Sequence, residues 1–452
     1  MVELIILAVF CVALFASLLT GAPLLYALAF GLVLFAGYGV RCCGLRETLK
    51  MCWNGVKTAR GILLLFVLLG LLTSMWRAAG TIPTVVSFAV ELIRPEIFVL
   101  LTFVLNSAMS LLTGTALGTA ATMGVICATI GRSMGMDGVS DSAWIGGAVL
   151  AGVYFGNRIS PISSMALLTA GITKTDIYQN IRDMVRTTWL PFLMSCVVYF
   201  AAGMNVDVTA GVAGASGVVG TSGVPNVAEL FAKDFSLSLW SLMPAAVIVV
   251  LSVARVRTSL VLLWSSASAF VLALVIENQT FIDLLKSIIF GYKTTVPEIA
   301  KMVNGGGLLS MVNVFLIVVI AGCCGGIFKG TSLLQPVKSR IEKMSQNTNP
   351  FVATLACASL VSCVVCNQTL TIILTNQMTE NLGAKNQALN LYDTAVTVIA
   401  LVPWSVATVI VLNAVQAPNS AVLCACFLYL VPVCRVMIGL CGKKGGVNGD
   451  FF

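Results

Sequence analysis

The 452-residue sequence has no histidine and few charged residues. Without histidine the chain has no histidine general base, metal ligand or proton relay. Charged residues account for 10% of the chain, against about 25% in soluble proteins. The 26 basic and 18 acidic side chains are too few to cover the water-facing surface of a soluble protein of this length. The composition therefore excludes an ordinary soluble protein.

Hydrophobic residues make up 58% of the chain, and many are gathered in apolar runs of roughly 20 residues. A helix needs a run of this length to cross the hydrocarbon core, where backbone polar groups must be satisfied within the protein. The sequence therefore predicts an all-α polytopic membrane protein with about 10–12 helical elements. It contains neither HExxH nor GxSxG, so we expect a membrane transporter rather than an enzyme, without a cofactor.

The positive charge of the chain lies in short loops between the apolar runs. The net charge is +8. The basic stretch 41–60 contains five basic residues, Arg41, Arg46, Lys50, Lys57 and Arg60, and one acidic residue, Glu47. Because cytoplasmic loops are enriched in Lys and Arg, we predict a multi-pass protein of the inner (plasma) membrane with both termini in the cytoplasm. The expected partners are the lipid bilayer and a small ion or solute, without nucleic acid. A homodimer is left open.

The chain is predicted to contain two membrane repeats of opposite topology. Residues 205–236 are rich in Gly and Ser and read as a connector between a first repeat, 1–204, and a second repeat, 237–452. Asn54-Gly55 recurs as Asn304-Gly305, and Gly80-Thr81 recurs as Gly330-Thr331. The distribution of loop charge is reversed between the halves, as in the inverted repeats of many secondary transporters. The alternative is that these recurrences are chance.

Three apolar regions contain polar residues and helix breakers. The first is 113–122, where Thr115, Thr119 and Thr122 share a helical face beside Gly114 and Gly118. We predict hydroxyl ligands and helix interruptions at the two glycines. The alternative is close helix packing through small residues, with the hydroxyls bonded to their own helix.

The second region is Phe155–Ser164. Pro161 cannot donate to the carbonyl of Asn157, so a helix must break there, with Gly156 as a second interruption. The freed carbonyl and the side chains of Asn157, Ser160 and Ser163 form an oxygen-rich set of the kind that sodium uses. Arg158 needs a counter-ion or a substrate anion. The alternative is an ordinary loop at the membrane interface.

The third region lies in the second half. Asn367 opens a segment in which Gln368, Thr371 and Thr375 share a face, and Asp393 and Thr397 lie one turn apart. Pro403, followed by Ser405, frees the carbonyl of Ile399 as Pro161 frees that of Asn157. A lone carboxylate that heads an apolar run is a functional candidate, the alternative being a helix cap at the interface.

These segments resemble the NhaC-type sodium/proton antiporter family, whose wider group has inverted repeats. The resemblance rests on Gly-Thr-Ala-Leu-Gly-Thr-Ala-Ala-Thr at 114–122, Phe-Gly-Asn-Arg-Ile-Ser-Pro-Ile-Ser at 155–163, and Asp393 ten residues before Pro403-Trp404. Arg-Ala-Ala-Gly-Thr-Ile-Pro at 77–83 also fits the family. The chain departs from the pattern of that family at four positions. Family members usually carry Asp at the positions of Asn157 and Ser164 and Asn at the position of Ser405. An acidic residue is common at the position of Asn367.

The resemblance implies a sodium-coupled secondary transporter with alternating access. We expect an ion or substrate site at the broken helices and a sodium site near Asn157, Ser160 and Asp393. Because carboxylates are the usual proton carriers, their loss favours the alternative of a sodium-coupled carrier or exchanger of a small organic solute, an amino acid or a carboxylate. An intramembrane enzyme would need a nucleophile with its base, and a channel would need a ring of like residues.

Overall fold

The structure is a computed structural model that describes residues 2–20, 22–92, 94–136, 138–161, 163–204, 231, 234–254, 256–294, 303–331, 349–380 and 386–444. Within these residues the chain is helical, and the β pairing is a single bridge between Tyr292 and Gly305. The predicted connector, 205–236, falls outside the described residues except for 231 and 234–236. The prediction of an all-α fold is confirmed.

The described residues of the first half contain ten helices. They are α1 (Val2–Thr20), α2 (Leu24–Cys43), α3 (Leu45–Ala78), α4 (Thr81–Leu92), α5 (Pro95–Thr113), α6 (Ala116–Thr119), α7 (Val125–Ser133), α8 (Val139–Ile159), α9 (Ser164–Thr173) and α10 (Ile177–Met204). A π-helical segment, Ala120–Gly124, joins α6 to α7.

The second half contains ten further helices among the described residues. They are α11 (Met243–Val253), α12 (Thr258–Val275), α13 (Phe281–Phe290), α14 (Val312–Gly330), α15 (Pro350–Val365), α16 (Gln368–Thr379), α17 (Gln387–Asp393), α18 (Ala395–Val398), α19 (Val406–Ala414) and α20 (Cys426–Lys444). Short 3₁₀ segments occupy Leu239–Leu242, Leu308–Met311, Ile399–Leu401 and Asn419–Cys424.

Several helices are long and apolar enough to cross a membrane. Six described helices meet this condition, and a seventh span forms if Gln387–Leu401 and Val406–Ala414, which are bent by 57°, count as one. Their exposed surface carries large apolar side chains such as Val33, Val197 and Val275. In water this surface would be unfavourable, whereas in lipid it is the expected outer face. The polytopic prediction is therefore confirmed.

Helices α3 and α14 pack antiparallel at very close range. A Cβ atom built on Gly55 would overlap the carbonyl oxygen of Gly322, and one built on Gly326 would overlap that of Met51. Farther along the pair, the backbone N–H of Gly307 donates to the carbonyl of Gly70 at 3.1 Å. The pair belongs to a large apolar core with helices α1, α2, α12 and α15, so the two halves of the chain share one scaffold.

Two helical hairpins have buried turns. In hairpin 1, α5 ends at Gly114, which has a left-handed backbone (φ 68°), and α6 begins after Thr115. In hairpin 2, α15 ends at Cys366, also left-handed (φ 57°), and α16 begins after Asn367. Gly114 and Cys366 therefore occupy equivalent turns, one in each half of the chain.

The bases of the two hairpins lie at opposite ends of the molecule, because they contact opposite ends of α10. Near its C-terminal end, a Cβ atom on Gly203 would meet Glu96 at the base of hairpin 1. Near its N-terminal end, Asp183 accepts from the amide of Asn386 at 3.3 Å. The neighbouring Gln387 donates to Thr379 at the base of hairpin 2, at 2.7 Å. Asp183 and Gly203 are about 30 Å apart along a helix, which is the thickness of a bilayer core.

Each hairpin is followed by a broken helix. Helix α8 stops at Ile159 and α9 starts at Ser164, with Ser163 as its N-cap. Likewise the segment Gln387–Leu401 stops before Pro403, and α19 starts at Val406 with Ser405 as its N-cap. The same order of elements thus occurs twice.

Two details of the sequence interpretation are wrong. Gly118 and Gly156 lie inside α6 and α8 rather than at interruptions; each is a close-packing point where a Cβ atom would overlap Thr115 or Ser110, respectively. The recurrence of Asn54-Gly55 as Asn304-Gly305 is not structural either. Asn54 lies within α3, whereas Asn304 lies in the turn that precedes Leu308–Met311.

Candidate functional site

A buried ion pair joins the two halves of the chain. Arg158 lies in the last turn of α8, and Asp393 is the last residue of α17. The side chains are both fully buried, and Nη2 of Arg158 donates to Oδ1 of Asp393. The sequence predicted that Arg158 needs an anion, and in this conformation that anion is Asp393.

A second arginine faces the other oxygen of this carboxylate. Nε of Arg435, on α20, lies 3.0 Å from Oδ2 of Asp393, and Arg435 also donates to the amide oxygen of Asn390 at 3.2 Å. Arg158 is further held by α10, where its guanidinium donates to the hydroxyls of Thr187 (2.9 Å) and Thr188. We call Arg158, Asp393 and Arg435 the charge cluster.

The charge cluster carries a net charge of +1, with Arg158 and Asp393 fully buried and Arg435 13% exposed. Asp393 is the only fully buried acidic side chain among the described residues, and two guanidinium groups balance it. Removing one partner from such an arrangement leaves an uncompensated buried charge, which is far more costly than losing a surface ion pair. The arrangement therefore suits a site that neutralises a negatively charged group.

The break at Pro161 presents several oxygen atoms. The hydroxyl of Ser163 donates to Oδ1 of Asn157 at 3.0 Å and caps α9 by accepting from the backbone N–H of Ala166 at 3.4 Å. The hydroxyl of Ser160 is buried and has no hydrogen-bond partner among the described residues. A buried hydroxyl without a partner costs free energy, so Ser160 is a candidate ligand for a cation.

The turn of hairpin 1 lies beside this break. Helices α5 and α8 run parallel, because the space beside Gly152 is occupied by Phe103 and Asn106, and that beside Gly156 by Ser110 and Leu111. Extending this register by one turn places Thr113–Thr115 at the level of the Pro161 break. Thr119 donates to the carbonyl of Thr115 at 2.9 Å, while the Thr115 hydroxyl has no partner among the described residues.

The break at Pro403 is closed by its own side chains. The hydroxyl of Ser405 donates to the freed carbonyl of Ile399 at 2.7 Å. The turn of hairpin 2 is tied to this break, since the backbone N–H of Val406 donates to the carbonyl of Cys366 at 2.9 Å and the Trp404 indole donates to that of Cys363 at 2.8 Å. The sequence predicted that each proline leaves a backbone carbonyl without its helical donor. At the Pro403 break, the hydroxyl of Ser405 replaces that donor.

The remaining predicted residues of the second half have different roles. Asn367 caps α16, Gln368 donates to the carbonyl of Val396 at 3.2 Å, and Thr397 donates to the carbonyl of Asp393 at 3.1 Å. Thr371 and Thr375 share a buried face of α16, and the hydroxyls of both lack a partner among the described residues. Ser362 Oγ and Gln387 Oε1 are also buried without a hydrogen-bond partner among the described residues of the second half.

Sequence reasoning missed Arg435, Thr187 and Thr188. Arg435 is the lone charge in the apolar part of α20, residues 426–442, so the same argument that identified Arg158 could have identified it. The two threonines gave no signal in the sequence, because hydroxyls on a long helix are common and only the tertiary fold brings them to Arg158.

The described residues contain no group of three or more His, Cys, Asp or Glu side chains that could hold a transition metal or zinc. The unpartnered oxygen atoms of Thr115, Ser160, Thr371 and Thr375 are neutral hydroxyls, and oxygen atoms of this type suit a hard cation of low charge. Two broken helices, two opposed hairpins and a buried charge cluster between the halves define a class of protein: a multi-pass secondary transporter.

The comparison with known proteins identifies the family. The Na+/H+ antiporter family matches residues 152–443, well over half of the chain, and the chain belongs to that family. Membership makes the protein a membrane transporter rather than an enzyme, and a sodium-coupled secondary transporter, as the sequence predicted.

The names of similar proteins include several solutes. It is similar to the Na(+)/H(+) antiporter NhaC of Alkalihalophilus pseudofirmus, at 26% identity with 87% of this chain and 86% of that protein covered. It is similar to the Malate-2H(+)/Na(+)-lactate antiporter of Bacillus subtilis, at 25% identity with 73% and 68% covered. It is also similar to the Arginine/ornithine antiporter ArcD of Halobacterium salinarum, at 24% identity with 93% and 87% covered.

Proposed function

We propose that this transporter couples the movement of Na+ to that of a small organic solute that carries a carboxylate, an amino acid or a hydroxy acid. The observation that carries the proposal is the charge cluster. Its net charge is positive, and its one carboxylate faces two guanidinium groups. A buried site of this sign favours an anionic group.

The names of the relatives support the same solute class. Malate, lactate, arginine and ornithine, which appear in the names of two relatives, all carry a carboxylate. Asp393, the only fully buried acid of the described residues, is paired with two arginines in this conformation, so its carboxylate is already engaged by positive charge.

Under this proposal the cation and the solute are bound by different groups. Na+ is bound by neutral oxygen atoms at the first break, from Asn157, Ser160 and the hairpin-turn residue Thr115, with Thr371 and Thr375 as the corresponding groups of the second half. The carboxylate of the solute competes with Asp393 for Arg158. Asp393 therefore acts in the charge cluster, and we do not retain it as a direct sodium ligand.

The proposal also includes the arrangement of the chain. The first repeat spans 1–204, the connector 205–236 and the second repeat 237–452. The protein lies in the inner (plasma) membrane with both termini in the cytoplasm, because the basic stretch 41–60, which covers the end of α2 and the first part of α3, marks the cytoplasmic end of these helices. A homodimer is the oligomeric state that the proposal leaves open.

The decisive experiment uses the purified full-length protein in proteoliposomes. Uptake of radiolabelled malate, lactate, arginine and ornithine is measured with an inward Na+ gradient or with choline in its place, while an internal pH dye follows protons. We expect Na+-dependent accumulation of at least one solute and no proton movement driven by Na+ alone. Proton movement driven by Na+ alone, with no effect of any solute on ²²Na+ flux, would contradict the proposal and assign simple Na+/H+ exchange.

The sodium site is tested by two matched serine variants. Ser160→Ala removes an unpartnered hydroxyl, so we expect the Na+ concentration for half-maximal transport to rise roughly 10-fold, as for one lost ligand. Ser359→Ala removes a hydroxyl that is already bonded to the carbonyl of Leu355 at 2.9 Å, and it should leave that concentration unchanged. Equal behaviour of the two variants would remove Ser160 from the site.

A further inference from the structure

A pocket opens on the outer surface of α10, near the start of this helix. It has a volume of about 380 Å³ and is lined by Asp176, Tyr178, Gln179, Arg182, Asp183 and Arg186. Tyr178, Arg182 and Arg186 are exposed and follow one another at intervals of four residues, so they share one face of the helix. Two guanidinium groups therefore line a pocket that is open to the surroundings.

The acidic groups of this pocket are already bound within the protein. Oδ1 of Asp176 accepts from two backbone N–H groups of the first turn of α10, at 2.9 and 3.0 Å. Asp183 accepts from Asn386 through one oxygen, and its other oxygen lies 3.8 Å from Nη1 of Arg186. Arg182 has no hydrogen bond or ion pair among the described residues. Its guanidinium group is therefore available to an anion from outside the chain.

The pocket lies at the level of the lipid headgroups. Helix α10 has 28 residues and is about 42 Å long, which exceeds the thickness of a hydrocarbon core by about 12 Å. The stretch from Asp183 to Gly203 accounts for the thickness of the core. Arg182 and the turn before it therefore lie in the headgroup region, and Arg186 lies at its inner edge.

Below the pocket, the same face of α10 is apolar. Trp189, Leu193 and Val197 are exposed, and with Arg182 and Arg186 they fall within an arc of about 80° around the helix. Trp189 lies about one turn below Arg186, and indole rings are favoured near the membrane–water interface. A basic pocket followed by an apolar strip matches the order of the phosphate and the acyl chains in a phospholipid.

The opposite face of α10 supports the charge cluster. The residues that follow Arg186 are Thr187 and Thr188, which are buried and accept from the guanidinium group of Arg158. A ligand held by Arg182 and Arg186 on the outer face therefore restrains the part of α10 that holds Arg158 on the inner face.

We propose that this pocket binds the phosphate of an anionic phospholipid, whose acyl chains lie along Trp189, Leu193 and Val197. Guanidinium groups remain charged and match phosphate oxygen atoms in geometry. A zwitterionic lipid brings a positive charge to the two arginines as well, so it is a poorer ligand. The site does not depend on the proposed solute.

The test is the thermal stability of the purified full-length protein in detergent micelles, which needs no transport activity. Phosphatidylglycerol or phosphatidylcholine with identical acyl chains is added at the same concentration. Because a ligand that binds only the folded protein raises the unfolding midpoint, we expect phosphatidylglycerol to raise it by about 2 °C more than phosphatidylcholine does. Glycerol 1-phosphate, which has the phosphate without acyl chains, should have no effect at that concentration. An equal effect of the two lipids would overturn the proposal, and an equal rise with glycerol 1-phosphate would replace the lipid by a free phosphate.

Two double variants make the result specific. Arg182→Gln with Arg186→Gln removes both guanidinium groups from exposed positions, so it should match the wild type in phosphatidylcholine but lose the additional rise with phosphatidylglycerol. Arg41→Gln with Arg46→Gln removes the same charge from exposed positions on α2 and α3 and should keep that rise. A rise that persists without Arg182 and Arg186, or that disappears equally from both double variants, would overturn the proposal.

Discussion

At the scale of the residue, the carboxylate of Asp393 is the group on which the charge cluster depends. In Asp393→Asn, two guanidinium groups remain without an anion, and breaking a buried pair in this way costs about 3–5 kcal/mol. We expect the variant to insert into the membrane but to lose gradient-driven solute uptake in proteoliposomes. The unfolding midpoint in detergent should fall as well. The matched control is Asp283→Asn, which removes an exposed carboxylate from a surface pair with Lys286.

A double variant separates charge balance from transport. Asp393→Asn combined with Arg435→Met restores the net charge of the cluster to +1, so most of the lost stability should return while transport stays absent. Wild-type uptake by Asp393→Asn would show that the carboxylate has no part in coupling.

The second residue to be tested is Asn157, whose amide can be replaced by a carboxylate of nearly the same size. Its amide accepts from Ser163 and cannot release a proton near neutral pH. In Asn157→Asp a carboxylate stands beside the break, where proton and Na+ compete for it, so we expect sodium-dependent transport to become more strongly dependent on pH between pH 6 and 9. Arg158 lies next in sequence, but its guanidinium is committed to Asp393. Superimposable pH profiles of the variant, the wild type and the exposed control Asn54→Asp would assign Asn157 to packing alone.

At the scale of the element, the contact between α3 and α14 depends on the absence of a side chain. Gly55 touches the backbone of Gly322, so a Cβ atom there must push two helices apart. We expect Gly55→Ala to lower the unfolding midpoint strongly and to reduce the amount of folded protein in the membrane, because overpacking costs about 1–3 kcal/mol. Gly61→Ala is on the same helix with nothing within 4 Å of its Cβ position, and it should behave as wild type. Equal expression and stability of the two variants would contradict the close approach.

The same scale shows where sequence reasoning about helices succeeded. Proline removes a backbone donor and clashes with the preceding turn, so the breaks at Pro161 and Pro403 follow from chemistry that is local in sequence. A glycine in the sequence does not by itself indicate whether a helix ends or continues. Gly114 ends a helix in the left-handed region, whereas Gly118 and Gly156 continue their helices and admit a neighbour. Which of these roles a glycine takes depends on what packs against it, and the sequence does not contain that information.

At the scale of the whole molecule, the orientation of the chain in the membrane can be tested with its own cysteines. Cys42 and Cys43 are exposed at the end of α2, within the basic stretch 41–60. In a variant that keeps only these two cysteines, a membrane-impermeant maleimide should label inside-out vesicles and spare right-side-out vesicles, because basic loops stay in the cytoplasm. Leu239→Cys, at an exposed position that follows the connector, should show the reverse. Labelling of Cys42 and Cys43 from the outer face would invert the proposed topology.

The sequence by itself determined the polytopic helical fold, the two proline breaks and the family. Each follows from composition, from local backbone chemistry or from short motifs. It also identified Arg158 and Asp393, because a charge in an apolar run is conspicuous. The tertiary structure decided that these two charges meet across 235 positions of sequence and that Arg435 joins them. Pairing between distant charges is set by how the helices pack, and the energy of a buried charge depends on its surroundings in space rather than in sequence.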